Sequence, residues 1–306
     1  LRRRSRLIDR GARQVLLAGA GINVVVVVLV VVFLLSRAWP TITQIGLGNF
    51  FGSTHWAPDD NIGFGVSFFG ALAPIFGSFA VVILALVIAV PFSLAVAIFI
   101  TDTNPIVGER FIRPAVEVFV GIPSVVYGYL GFIALLPLLA HIAPPGRQGS
   151  GILAAGLVLA IMITPTIATI SADGLLSVPR ALREGSAALG ATQWQTIRRV
   201  LLPAARPSII SGIVLGFARA MGEALAVALV IGDVNVIPNF AKEGLGALLE
   251  PFTTMTVSIT DGVANLAINP EGTAARYMLA VVLLVVTFLA IIVVRLMARG
   301  RRGSRV

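Results

Sequence analysis

The sequence predicts an all-α integral membrane protein, with six transmembrane helices and one cytoplasmic helix pair between the fourth and fifth. Three observations carry this. Of 306 residues, 57% are hydrophobic and only 12% charged, against roughly 25% charged in soluble domains. Six apolar runs are long enough to cross a hydrocarbon core of about 30 Å as helix. The basic residues gather on alternate connecting segments, as positive-inside topology requires.

In chain order, a basic tail (1–14) leads into the first run, 15–35, VLLAGAGINVVVVVLVVVFLL. Its valines suit buried strands, but its length favours a helix, because a spanning segment must satisfy its own backbone. A signal peptide is the competing reading. The run is too long for one and no A-x-A site follows, so a retained helix is expected. Trp39, in SRAWP, fits the headgroup level. An external loop, 36–72, follows; its NFFGSTHWAPDDNIGFG stretch (49–65) sets aromatics beside Asp59 and Asp60. It reads equally as an interfacial plug and as a docking surface. The permease core, 73–297, holds the other runs, at 73–100, 115–139, 151–170, 208–232 and 277–297, and a basic tail closes the chain at 298–306. Residues 233–276 read as a second external loop.

With the N-terminus in the cytoplasm, eighteen Arg lie inside: the two tails, Arg110 and Arg113, and five in the fourth-to-fifth loop. Only Arg37, Arg147, Lys242 and Arg276 lie outside, and Arg219 stays in the membrane. Topology and anionic lipid thus account for the net charge of +9, and nothing calls for nucleic acid. Both termini are expected in the cytoplasm.

Catalytic patterns are missing. There is no Cys, the two histidines (His55 and His141) fall far apart, and neither G-x-S-x-G nor H-E-x-x-H is present. The single lysine, Lys242, stands in FAKEG, so no Walker A loop exists. No metal or cofactor is expected in this chain. If ATP drives transport, another polypeptide must bind it.

The cytoplasmic segment 179–207, PRALREGSAALGATQWQTIRRVLLPAARP, is too polar to span and too periodic for a plain loop. Gly190 is expected to break it into two helices, since an interior glycine costs about 1 kcal/mol. Small residues at 185–188 would let another protein approach the backbone. Equally open is an amphipathic helix on the membrane, with Arg198 and Arg199 to lipid phosphates.

Two charges interrupt the fifth run, in GFARAMGEALAV. Counted from Ser208, Arg219 is about 16 Å deep, and Glu223 is i+4 from it on one helical face. A charge at the bilayer centre costs roughly 2.5–3.5 kcal/mol on insertion scales. One reading is a packing ion pair, with Gly212, Gly216 and Gly222 allowing close helix approach. The other is an anion site: Arg219 forks onto oxyanions, and Glu223 holds it when the site is empty or helps release the anion. Other pathway candidates are Ser124 and Tyr127, beside the kink-forming Pro123, Thr164 and Thr166 around Pro165, and Glu117. Arg113 stands i−4 from Glu117 as a local partner, and threonine hydroxyls in helices commonly bond back to their own backbone.

The spacing Glu184-Gly185-Ser186, then Gly190, then Val200, Leu202 and Pro203 resembles the E-A-A, G, I-x-L-P pattern of ABC-importer permeases. Gly185, Ser186 and Val200 depart from it while keeping small and aliphatic character. GIPSVVYG (121–128), PRALREGSAALGATQW, RAMGEALAV (219–227) and Trp56-x-Pro58 extend the resemblance, over about 40–297, to the PstC-type permeases of phosphate ABC importers. The resemblance implies that Glu184, Gly185, Ser186, Ala187, Gly190, Ala191 and Trp194 dock an ATPase subunit as a coupling (EAA) helix pair. It also implies a second, homologous permease subunit (a heterodimer), two ATPase subunits carrying ATP-Mg, an extracytoplasmic phosphate-binding protein and a bacterial inner-membrane location. Inorganic phosphate would cross by alternating access. Permeases for molybdate or sulfate share the pattern. An ion-coupled secondary carrier, with Glu117 and Glu223 as its only candidate groups, and an intramembrane enzyme are the other classes weighed.

Overall fold

The structure is a computed structural model that describes residues 2–58, 68–238, 240–261 and 270–299. Helix dominates. The first helix, α1 (Arg2–Pro40), runs 39 residues, well beyond the apolar stretch, and relaxes into a π-turn at Thr41–Ile45. None of its most apolar window is buried. It packs along the last helix, with the Phe33 and Tyr277 rings edge to face at 5.8 Å, and otherwise presents Val, Leu and Ile outward as lipid requires.

A short helix α2 (Leu47–Gly52) and a two-residue antiparallel ribbon, β1 (Trp56–Ala57) with β2 (Phe68–Phe69), make up the described part of the first external loop. Phe50 and Trp56 are buried against each other and the core. Asp59 and Asp60 lie outside the described residues. Trp39 is exposed at the end of α1.

Helix α3 (Leu72–Ile98) passes through a π-turn, Phe99–Thr103, into α4 (Pro105–Val107). A second π-turn, Gly108–Ile112, leads into α5 (Arg113–Gly121) and then α6 (Ser124–Leu130). A third, Gly131–Leu135, joins α6 to α7 (Leu136–Ala140). The expected third span, 115–139, is not one straight helix: Pro105–Gly121 and Ser124–Ala140 meet at 95°. Pro123 lacks the N–H for an unbroken ladder, and Ile122 before it takes extended geometry, ψ 128°.

Helix α8 (Ile152–Leu176) is the most buried span and the axis of the fold. The side chain of Leu84 in α3 packs on Gly156, the Ser93 hydroxyl of α3 donates to the Thr164 carbonyl (3.0 Å), and α8 runs six residues past the expected end.

Next come α9 (Arg180–Ala188), α10 (Gln193–Thr196), a π-turn at Ile197–Leu201, and α11 (Leu202–Met221). The expected helix 208–232 stops at Met221 and resumes as α12 (Leu225–Ile231).

The second external loop contains α13 (Phe240–Glu243), a 3₁₀ turn (Gly244–Leu249) and α14 (Met255–Asp261). It is not wholly external. Phe252 through Ser258 are buried, and this segment dips back among α3, α12 and the last helix. Helix α15 (Pro270–Arg299) ends the described chain; residues 300–306 of the predicted basic tail lie outside it. Among the described residues, five helices are long and apolar enough to cross a membrane, or six when the bent pair counts as one.

Candidate functional site

Arg219 lies near the C-terminal end of α11. Its guanidinium Nη1 donates to Thr166 Oγ1 at 3.2 Å. Thr166 is close to the midpoint of α8, so the charge sits about halfway along that helix. The α11–α8 approach is tight: a Cβ at Gly216 would come within 2.8 Å of Ile167. Tyr127 of α6 is buried, within electrostatic reach of Arg219, and its hydroxyl donates to the Phe119 carbonyl at 2.7 Å, bracing the bend at Pro123.

The expected Arg219–Glu223 pairing is not formed. Helix α11 ends between them at Gly222, so the i+4 relation no longer sets both on one face. Glu223 turns forward instead and accepts the Ala226 N–H at 3.1 Å, capping α12. Its carbonyl accepts the Thr256 hydroxyl at 2.8 Å. A cavity of about 10 Å³ between Glu223, Ser78, Thr254 and Thr256 has room for about one water. The re-entrant segment is held there by α3: Ser78 Oγ accepts the Met255 N–H at 2.8 Å. Gly77 is required because a Cβ would fall 1.9 Å from the Thr253 carbonyl oxygen.

The remaining pathway candidates scatter. Thr164 bonds back to Ala160 O at 2.7 Å. Ser124 opens α6 just past the bend, on the same short helix as Tyr127. Glu117 lies away from Arg219 and pairs with Arg113 at 3.2 Å, which also reaches Glu109 (3.4 Å) and Asp173 (2.8 Å). This three-carboxylate cluster joins the start of α5 to the far end of α8. His55 and His141 are not brought together: His55 stacks near Phe68 and His141 bonds Pro137. Among the described residues, no group of His, Asp and Glu is arranged to hold a metal.

The segment 180–201 folds as the expected two helices around Gly190. Its φ of +75° is one that side chains other than Gly and Asn rarely adopt. The Gly190 and Ala191 N–H groups return to the carbonyls of Ala187 and Ser186, closing α9 in a Schellman motif. Thr192 then caps α10 with a reciprocal Gln195 box. The hydroxyls of Ser186 and Thr196 tie the two arms at 2.9 Å. Glu184, Gly185, Ala187, Gly190 and Trp194 are exposed, with Ser186 and Ala191 half-buried. Beside them Leu182, Leu189 (89% exposed) and Trp194 (59%) present apolar surface, more than a solvated hairpin needs.

Sequence reasoning missed how this hairpin is anchored. Arg183 of α9 pairs with the carboxylate of Asp102, in the π-turn after α3, and donates to Leu175 O at 3.0 Å. Gln193 of α10 donates to the Asp102 carbonyl at 2.6 Å. These partners are 81 and 91 residues apart, beyond any local pattern. The re-entrant segment was missed as well; its one sequence signal is PFTTMTVSI, a hydroxyl-bearing run with apolar residues interleaved.

A model of the family described as binding-protein-dependent transport system inner membrane component matches residues 89–303. The probable ABC transporter permease protein YqgH of Bacillus subtilis is 40% identical over 304 residues, covering 98% of this chain and 94% of its own. The phosphate transport system permease protein PstC of Haemophilus influenzae is 35% identical over 289 residues, covering 88% and 86%. Among solved structures, an inward-facing conformation of the MetNI methionine ABC transporter shares the fold. Its TM-score is 0.55 at 19% identity, over 74% of this chain and 94% of that one.

Proposed function

Because this chain belongs to the family of binding-protein-dependent transport system inner membrane components and is a multi-pass ABC importer permease subunit, we propose that its substrate is inorganic phosphate. One observation supports this most directly. Arg219 sits at mid-bundle bonded to a neutral hydroxyl, and among the described residues no carboxylate lies within ion-pair distance of it. A guanidinium stays charged in nearly any surroundings. At that depth an anion compensates it best, and tetrahedral oxyanions accept its fork bidentately. Similarity to PstC proteins favours phosphate among them.

In this reading Arg219, with Thr166 and Tyr127 beside it, contacts the anion as it passes. Ser124, Thr164 and Glu223 line neighbouring parts of the route. The hairpin face of Glu184, Gly185, Ser186, Ala187, Gly190, Ala191 and Trp194 docks an ATPase subunit, which supplies ATP-Mg chemistry that this chain has no loop to perform. A second permease subunit completes the pathway, and an extracytoplasmic binding protein delivers the anion to the outer loops. Both termini lie in the cytoplasm, and ATP-driven rocking switches access to Arg219 between the two sides.

The test is uptake of labelled phosphate, sulfate and molybdate by the assembled importer in vesicles. Phosphate entry that needs ATP, the ATPase subunit and Arg219 supports the reading. Molybdate or sulfate entering in preference moves it to a sister oxyanion, and uptake driven by a proton gradient without the ATPase sinks it.

A further inference from the structure

We propose that Asp102 is the positioning residue that makes α3 the lever between the cytoplasmic hairpin and the re-entrant segment beside Glu223. This rests on the ATPase-docking reading above and adds a route for the motion.

Both arms of the hairpin hold the same residue: Arg183 of α9 takes the Asp102 side chain, and Gln193 of α10 takes its carbonyl. The Thr101 hydroxyl lies within hydrogen-bond reach of the same carboxylate and of the Ala97 carbonyl of α3, and gives its one hydrogen to either. The Asp102 side chain is only 6% exposed, so it cannot rotate into water without leaving Arg183 behind. Breaking a shielded pair by removing one partner strands a charge; the hairpin and the end of α3 therefore move as one piece. Ile197 and Leu201 of the hairpin stem are packed in one apolar cluster with Ala97 and Ile100, which stiffens the joint.

From Asp102, α3 runs the length of the bundle. At its far end Gly77 and Ser78 grip the re-entrant segment through the Thr253 close approach and the Met255 hydrogen bond. Thr256 of that segment bonds the Glu223 carbonyl, in the break between α11 and α12. A displacement of the hairpin thus reaches the Glu223 break through one continuous helix and three specified contacts. Rigid elements that join two sites in this way are the physical means by which coupling energy travels.

The absence of cysteine from this chain allows a direct test in the full importer, with labelling read on this subunit after the subunits are separated. A single Thr254→Cys reports on the re-entrant segment, where residue 254 is 3% exposed. Trapping the ATPase with ATP-Mg and orthovanadate should change the labelling rate of this thiol by a membrane-impermeant maleimide at least about fivefold, the lower end of ordinary allosteric coupling. Asp102→Asn and Arg183→Gln should each erase the change while the ATPase remains bound and hydrolyses ATP. The double variant should be no worse than either single, and Asp102→Glu should restore part of the response.

A nucleotide response that survives intact in Asp102→Asn overturns the proposal. So does an Asp102→Asn variant that simply releases the ATPase and regains it together with labelling in Asp102→Glu, for Asp102 would then only dock. Absence of ATP-dependent uptake by the unmodified chain with its ATPase overturns the transport reading instead, so the two failures are told apart.

Discussion

Arg219 and Thr166 meet across 3.2 Å between α11 and α8, about halfway along α8. The contact is a charged donor on a neutral acceptor, so it satisfies one of the guanidinium's five N–H groups and leaves the charge itself uncompensated. In the proposed reading a passing anion supplies the charge that Thr166 cannot.

Arg219→Gln should reduce phosphate uptake about 10- to 100-fold, the loss expected when one charge-assisted hydrogen bond worth about 1.5–3 kcal/mol is removed. Arg219→Lys should fall between, because it keeps the charge and loses the fork. Uptake is to be compared at equal membrane levels of protein. Normal transport by Arg219→Gln would reduce the residue to packing.

Glu223 works in this structure as an acceptor for the Ala226 N–H. The amide oxygen of Gln can do the same, so Glu223→Gln should unfold at the parent's temperature, whereas a loss of about 1 kcal/mol lowers it by about 2–4 °C. Glu223→Ala should lose about 1 kcal/mol, as for other helix caps. Thermal unfolding in detergent separates them. Equal destabilisation by Gln and Ala would mean that the charge matters and the cap does not.

Glu117 pairs with Arg113 at a half-exposed site, where Arg113 keeps Glu109 and Asp173. Screening limits such a pair to about 0–1 kcal/mol. Glu117→Gln should therefore leave both stability and uptake near the parent's, and a tenfold loss of uptake in proteoliposomes would return Glu117 to the pathway.

Gly190 has open space around it and a left-handed backbone. Its replacement is then a matter of backbone strain alone. Gly190→Asn should be mild and Gly190→Val severe, since left-handed geometry costs L-residues about 1–2 kcal/mol and a branched side chain more. Co-purification of the ATPase subunit should follow the same order.

Burial, and the nearby Asp261 carboxylate, push the Asp233 carboxyl above its ordinary 3.8. A carboxyl with a raised folded pKa favours the folded state when protonated. Its stabilisation is full below 3.8 and is lost as pH climbs through the raised value. Asp233→Asn mimics the neutral form and keeps the left-handed backbone at φ +48°, which Asn tolerates. It should flatten stability across that acidic window, as followed by unfolding against pH.

Much of this architecture is legible in the sequence. Hydropathy places the apolar runs, glycine places the turn at 190, and helical rise places Arg219 at depth. Hydropathy adds up composition along a segment and is blind to whether the helix is continuous. The break at Gly222–Ala224 therefore went unread, while Pro123 announced a kink in the third run but not its 95° size. The second break matters more, because the i+4 pairing of Arg219 with Glu223 assumed an intact helix. Thr253 to Ser258 read as loop for a related reason. Their hydroxyls look polar, yet Thr253 bonds Ser258 and Thr254 bonds Thr256, so the segment enters the bundle with its polarity already satisfied. The Asp102 joint depends on partners that only the fold brings together.

The right-angled break at Pro123 also limits how far the chain between α3 and α8 can reach along a membrane normal. Each arm of the bent pair is about 25 Å of helix at 1.5 Å per residue, short of the roughly 30 Å hydrocarbon core. The middle of its first arm, at Arg113, lies beside the Asp173 end of α8, and its second hands the chain to the opposite end, where Gly151 precedes Ile152. Neither arm alone reaches across, so only the two in series have the length of one passage; counted that way the described helices offer six spans, and otherwise five.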